Sequence, residues 1–306
     1  MGRWWIGLLL AGAAWAGEYP RELVIHRGST PLVDGVIAAG EYDDAVTFSG
    51  VEGWTPQFTP TTDPADLALQ GWAKHDGRDL YFAFRVTDNL LYGLDTARWL
   101  PRENRHAHEL SRRGFPWFGD EMELLINATN RWSSQDNQNA AGDGTSWQMV
   151  CSLTKSRLGG VGPGGLLEGE PRAKKLAWDT YQRWILDGDM VAVARRELPD
   201  TRFIGGASAR FQRPNHAGGS YVIEWLVRAN PCLEVAPGQY WSPALGETQM
   251  GLNIALGDLD TRSAGRGNFG NFHHEDWWAG EKNKRTWLKQ YGTLTIMPGP
   301  KPVVPR

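Results

Sequence analysis

The stretch GFPWFGDEMELLIN, Gly114 to Asn127, sets Trp117 just ahead of three carboxylates, Asp120, Glu121 and Glu123. Clustered carboxylates can do acid–base work, ligate a hard cation, or accept hydrogen bonds from sugar hydroxyls beside an aromatic face. Side chains alternate along a strand, so Glu121, Glu123, Leu125 and Asn127 share one face and Asp120, Met122, Leu124 and Ile126 the other. The set 122/124/126 reads as a core face, which puts Glu121 and Glu123 on the opposite side. Two such neighbours lie roughly 6.5–7 Å apart, inside the roughly 5–9.5 Å window of a glycosidase pair. That chemistry, however, needs the two groups on opposite sides of the scissile bond, and one strand does not supply this. A hydrogen-bonding role next to an exposed tryptophan requires less, and a solvated sheet surface less still.

The elements that must position these residues are strands. Asp66–Asp76 and Asp79–Asp88 alternate apolar and polar residues around Gly77-Arg78, the pattern of a hairpin. Residues 120–127, 145–153, 190–196, 203–212, 221–228, 248–257 and 292–297 read the same way, and the best helical candidate is a charged turn or two at 102–113. Short strands punctuated by Gly, Pro, Asn and Asp predict an all-β fold, an antiparallel, jelly-roll-like β-sandwich. Long insertions interrupt it at 89–116, 128–144, 154–189 and 258–286. No linker divides the chain, so residues 17–306 are expected to form one domain.

Residues 1–16 have the layout of a cleaved signal peptide. Arg3 supplies the basic start, Trp4 to Ala14 an apolar run too short to span a bilayer, and Ala14-Trp15-Ala16 the small-x-small cleavage pattern. Export to the periplasm or medium is the expectation, with no membrane span beyond the signal. A net charge of −3 over 306 residues, with mixed signs, argues against nucleic acid as partner. Cys151 and Cys232 leave a disulfide and two thiols equally open. Tryptophan is the outlier at 16 residues, and beyond core packing such a surplus suits stacking on sugar rings.

Several motifs fail on context. Gly160–Gly165 satisfies G-x-G-x-x-G, but Pro163 removes a backbone donor and no helical pattern follows. His106-Ala107-His108 and His273-His274-Glu275-Asp276 lack the spacing of a zinc site. Asp258-Leu259-Asp260 opens like a calcium loop without the remaining EF-hand ligands, which leaves Asp258 and Asp260 as candidates for a structural calcium site of another kind.

Taken in order, further segments resemble family 9 carbohydrate-binding modules. Pro31-Leu-Val-Asp-Gly-Val-Ile37 with Gly40-Glu-Tyr42 resembles their opening strand and turn, and Trp72–Asp88 their central hairpin. Trp117 with Gly119–Leu124 resembles their W-x-x-D-x-x-E strand. Tyr221–Trp225, Gly251–Ile254 and Tyr291–Leu294 resemble three later strands. The resemblance implies a non-catalytic sandwich that holds a saccharide end between two tryptophans, with calcium as a frequent structural ion. It maps Trp117 onto the first clamp position, Glu123 onto the sugar-bonding carboxylate and Trp287 onto the second clamp. Trp277 and Trp278 are alternates for that second position, and Gln148 is an added polar contact.

Two other classes stay open on the sequence. A non-covalent haem domain would use Met149 or Met250 as an axial ligand, since C-x-x-C-H is absent. A glycoside hydrolase or lyase would pair Glu123 with a distant acid such as Glu224 or Asp258.

Overall fold

The computed structural model describes residues 21–51, 54–56, 67–89, 120–130, 146–152, 176–180, 185–187, 191–197, 203–211, 219–258, 274–279 and 292–302. Residues 1–16, expected to be a signal peptide, the helical candidate at 102–113, the glycine stretch at 160–165, Trp117, Asp260 and Trp287 lie outside them.

Strands dominate, as the alternation predicts. The central hairpin forms from β4 (Leu67–His75) and β5 (Asp79–Asp88), Leu67 opposite Asp88 and His75 opposite Leu80. Its turn is built from the predicted residues. Gly77 takes φ 95°, a left-handed conformation that costs glycine little, and the Asp76 carboxylate accepts the backbone N–H groups of Arg78 (2.8 Å) and Asp79 (2.9 Å). Gly77 N–H donates to His75 Nδ1 (3.1 Å), so the imidazole proton sits on Nε2, against the Met297 carbonyl at 2.7 Å. Burial holds the His75 pKa below its ordinary value, which keeps the ring neutral in this role.

The chain order begins with β1 (Glu22–Arg27), β2 (Val46–Ser49) and β3 (Thr55–Pro56), ahead of the hairpin. After it come β6 (Glu121–Asn127), β7 (Ser146–Ser152), β8 (Leu176–Thr180), β9 (Ile185–Asp187), β10 (Val191–Glu197), β11 (Phe203–Phe211) and β12 (Gly219–Arg228). A one-turn helix α1 (Ala229–Cys232) and the small ribbon β13 (Glu234–Ala236) and β14 (Gln239–Tyr240) lead to β15 (Thr248–Asp258), β16 (His274–Trp277) and β17 (Gly292–Pro300). Hydrogen bonding runs β8-β7-β6-β15-β17-β1-β4-β5-β12-β11-β10-β9. Pairing is not wholly antiparallel as expected. β1 lies parallel to β17 and meets β4 in parallel only at Arg27–His75, and β7 lies parallel to β8. That single bridge is where the path passes from one layer to the other.

The two layers share one core. Phe82, Phe84 and Val86 of β5 and Tyr221, Ile223, Trp225 and Val227 of β12 pack in the same cluster as Met122, Leu124 and Ile126 of β6, Ile254 and Leu256 of β15, and Leu294 and Ile296 of β17. These positions recur with period two on every strand, the signature of inner sandwich faces. Phe84 meets Trp225 edge-to-face with centroids 5.7 Å apart. Met250, a candidate haem ligand, lies fully buried in this cluster opposite Leu294, so the core uses it and no axial position is open to it. Cys232 is buried in the same cluster.

The outer face of β4, β5 and β12 is covered by residues 31–45. Tyr42 and Ala45 pack on Trp72 and Ala83, and Val33 packs on Tyr81 and Leu226. Lys74, 0% exposed, is satisfied by Asp44 Oδ1 (2.7 Å), the Glu41 carbonyl (2.6 Å) and Ser29 Oγ (3.2 Å). Glu224 completes the attachment. Its Oε2 accepts Gly35 N–H (2.7 Å) and Asp34 N–H (3.1 Å), and its Oε1 accepts the Tyr42 hydroxyl (2.8 Å).

Candidate functional site

Glu123 sits where alternation places it, on the face of β6 turned from the shared core. The expectation of a solvated surface needs correction, because Glu123 is only 2% exposed and Leu125 and Asn127 are fully buried. β6 is an internal strand between β7 and β15, and its second face is covered as well. Register extends this face sideways. Glu123 stands opposite Val150 of β7 and Ala255 of β15, and Ala255 stands opposite Trp277 of β16, which in turn pairs with Thr55 of β3. In register, positions 123, 255 and 277 thus lie side by side on three neighbouring strands, the outer two about 10 Å apart at two strand spacings. Gln148 takes the register position opposite Leu125, on the same strand face.

Trp278 belongs elsewhere. It is 6% exposed and part of the main core, with its indole against Gly292, where an added Cβ would come within 2.4 Å of the ring. Trp278, one of the two alternates for the second clamp position, is therefore a core residue, one strand position out of phase with Glu123.

The hydrolase pairings do not form. Glu224 alternates with core residues of one layer and Glu123 with those of the other, so the two project from opposite outer faces. Layers lie about 10 Å apart, and groups beyond both outer faces exceed the roughly 9.5 Å limit of a glycosidase pair. Burial, ahead of the opposing hydrogen bonds, raises the Glu224 pKa to about 7. Its three donors all come from residues 34–42, which makes it a structural tie. Asp258 follows the core-facing parity of β15 and also fails to share the Glu123 face.

Asp258 instead joins a cluster that motif reading missed. Asp88 ends β5, Asp120 immediately precedes β6 and Asp258 ends β15; each takes the core-facing position next to Val86, Met122 and Leu256. Strands from both layers thus deliver three buried aspartates to one end of the core, with one carboxylate oxygen of each within 4.8 Å of the others. At that spacing ionised carboxylates repel by roughly 3 kcal/mol per pair at an effective dielectric of about 20, which a cation or shared protons relieve. An all-oxygen, carboxylate-rich donor set fits a hard cation such as calcium. The signal was present in the sequence as an aspartate at the next inward position of three apolar strands.

No protein-family model matches the chain, and no curated protein does. Among solved structures it is similar to a carbohydrate-binding module of family 9 from Caldicellulosiruptor kristjanssonii in complex with glucose, at 12% identity and a TM-score of 0.46, over 93% of this chain and 99% of that one. The same module in complex with cellotriose gives 13% identity and a TM-score of 0.45, over 94% and 99%. Among the described residues no helix is long and apolar enough to cross a membrane.

Proposed function

We propose that this chain is an exported, non-catalytic saccharide-binding protein that holds a sugar, at a chain end, between tryptophans. The observation that carries the reading is the setting of Glu123. It is a carboxylate on the non-core face of an internal strand, six residues after Trp117 in a segment that resembles the binding strand of family 9 modules. Glu123 accepts sugar hydroxyls, Trp117 and Trp287 supply the apolar ring faces, and Gln148 adds a polar contact. Charge-assisted hydrogen bonds fix orientation while the aromatic rings supply area. The mature protein begins near Gly17.

Calcium belongs to the same proposal as a structural ion. Asp88, Asp120 and Asp258 would hold it, and bound there it would neutralise the three carboxylates and tie the ends of both layers together.

Glycan-array binding by the mature protein tests the reading, followed by fluorescence titration with glucose and cellotriose of the wild type, Trp117→Ala and Trp287→Ala. Each substitution is expected to weaken binding several-fold to about tenfold with the melting temperature unchanged. Normal binding by both variants would show that the cleft is misassigned, and no binding to any glycan would reject saccharide recognition.

A further inference from the structure

The register between β5 and β12 sets Arg228 opposite Asp79, and the turn after β4 sets Arg78 next to it. Both arginines meet one buried carboxylate. Asp79 Oδ2 accepts Arg78 Nε–H at 3.0 Å and lies 4.0 Å from Arg228 Nη1, while Oδ1 accepts Ala229 N–H at 3.1 Å. The Asp79 side chain is 4% exposed, against 76% for Arg78 and 31% for Arg228. This knot forms one wall of a cavity of about 280 Å3, whose other walls include Asn230, Trp241 and Ser242. The cavity lies at the opposite end of β5 from Asp88 and the aspartate cluster, and none of its residues belongs to the strands that surround Glu123.

The wall is rich in donors that the fold leaves unspent. Trp241 is 3% exposed, and its buried indole N–H has no hydrogen-bond partner among the described residues. His75 packs against that indole edge-to-face at 5.1 Å and offers no ring nitrogen to it, because Nε2 bonds the Met297 carbonyl and Nδ1 accepts Gly77 N–H. A buried N–H without an acceptor is rare enough to need a specific cause. Since an indole N–H only donates, that cause is an acceptor. Arg78 commits its Nε to Asp79, and its two terminal amino groups bond no acceptor among the described residues. Ser242 precedes a short turn of 3-10 helix without spending its hydroxyl on capping it. Asp79, the one acid in the wall, has both oxygens engaged. Asp76 behind the turn is filled as well, by Arg78 N–H, Asp79 N–H, and the hydroxyls of Tyr81 and Thr30.

We infer that this cavity is a second binding site, which takes the carboxylate of a small acid. Two guanidinium groups against one carboxylate leave a single positive charge in the wall, which matches a monoanion. The planar fork of a guanidinium suits a carboxylate in particular, and Asp79 holds Arg78 by Nε so that the terminal pair is left for the ligand. The Trp241 N–H supplies a further donor. At about 280 Å3 the space lies at the small end of ligand pockets and admits one sugar ring or a short acid, not a chain. A uronate and a free carboxylic acid present the same group, so the inference stands apart from the saccharide reading of the Glu123 face.

Proton–nitrogen correlation NMR of the labelled mature protein tests it, with the Trp241 indole signal assigned by its loss in Trp241→Phe. Titration with D-glucuronate or acetate should move that signal saturably, and the methyl ester of glucuronate, which has the same shape without the charge, should not. Arg78→Gln should weaken the response about tenfold with an unchanged melting temperature, since Arg78 is exposed and its loss opens no core. A stronger response to glucuronate than to acetate would identify a sugar acid as the ligand class, and equal responses would identify the carboxylate alone as the recognised group. No movement of the Trp241 signal with either acid, an equal response to the ester, or wild-type affinity in Arg78→Gln overturns the inference. Failure of neutral glycans to bind the protein would reject the saccharide reading and leave this result untouched.

Discussion

Replacing Glu224 by glutamine removes the carboxylate that ties residues 34–42 to β12, and the consequence depends on pH in a direction the structure fixes. Burial raises the Glu224 pKa from its ordinary 4.5 to about 7, against the pull of hydrogen bonds from Tyr42, Gly35 and Asp34 and with a smaller push from Glu41. Tyr42, whose own pKa is raised first by burial and then by Glu224, stays protonated and remains a donor. An acid whose folded pKa lies above its unfolded one binds its proton more tightly when folded. Its contribution to stability is therefore complete below about pH 4.5, declines as pH rises, and is gone above about pH 7. A separation of about 2.5 in pKa, at about 1.4 kcal/mol each, is roughly 3 kcal/mol. Glutamine cannot ionise, so this slope is absent from the variant, whose own cost is the loss of an acceptor for one of three donors, about 1–3 kcal/mol. Urea unfolding of both proteins at half-unit steps from pH 4.5 to 8 is the assay. The wild-type advantage should shrink by roughly 3 kcal/mol over that range and vanish or reverse at its top. His75 titrates in both proteins and cancels in the difference. A wild-type advantage that is constant with pH would refute the reasoning, since it would mean that the three donors outweigh burial and keep the carboxylate ionised throughout.

Lys74→Met leaves Asp44, the Glu41 carbonyl and Ser29 without the ammonium group that joins them; because the Asp44 side chain is 39% exposed and can be rehydrated, the expected loss is about 2–3 kcal/mol in urea unfolding. Gly292→Ala places a methyl group within 2.7 Å of the Arg21 carbonyl as well as against the Trp278 ring, and backbone cannot move aside as a side-chain tip can. It should cost about 1–3 kcal/mol and red-shift tryptophan emission as Trp278 is displaced. Chelation with EGTA should lower the melting temperature of the wild type, and restored calcium should recover it. Asp258→Asn should make the protein insensitive to both, and equal melting curves with and without calcium would exclude a structural ion at the aspartate cluster.

Much of this fold was legible because alternation is a strong constraint on strands that share a core. Met122, Leu124 and Ile126 were readable as one inner face, and the hairpin turn was readable from Gly77-Arg78 and the flanking alternation. The other face of β6 was not. Alternation says which residues face the core, while burial of the second face depends on what lies over it, and Glu123 looked like a surface residue for that reason. β16 escaped because His274–Trp277 is short, polar and without β-branched residues; it is a strand through its pairing with β15 and β3, a tertiary cause. β8 and β9 fall within a stretch read as loop, and their pairing with β7 and β10 is likewise nonlocal. The aspartate cluster was missed because its members are 32 to 170 residues apart in the sequence and its signal is one of parity, an acid in place of the next inward apolar residue.

The motifs that resemble family 9 modules also touch one another. The opening segment at Asp34, Gly35 and Tyr42 hydrogen-bonds to Glu224 inside the Tyr221–Trp225 motif. Asn253, inside the Gly251–Ile254 motif, holds Ala279, and Trp278 between them seats on Gly292 of the closing motif. These residues are fixed by buried cross-ties between strands, so they are the ones a sandwich keeps whatever it binds. The residues assigned to sugar contact obey a different constraint: they need a common face, and they can change without loosening the shared core. Resemblance in the first set therefore speaks to architecture, and ligand choice rests on the second, above all on Glu123 and on the aromatic residues that reach its face. Asn253 belongs to the first set, because its buried amide closes the ladder between β15 and Ala279 and thereby helps to seat Trp278 in the core.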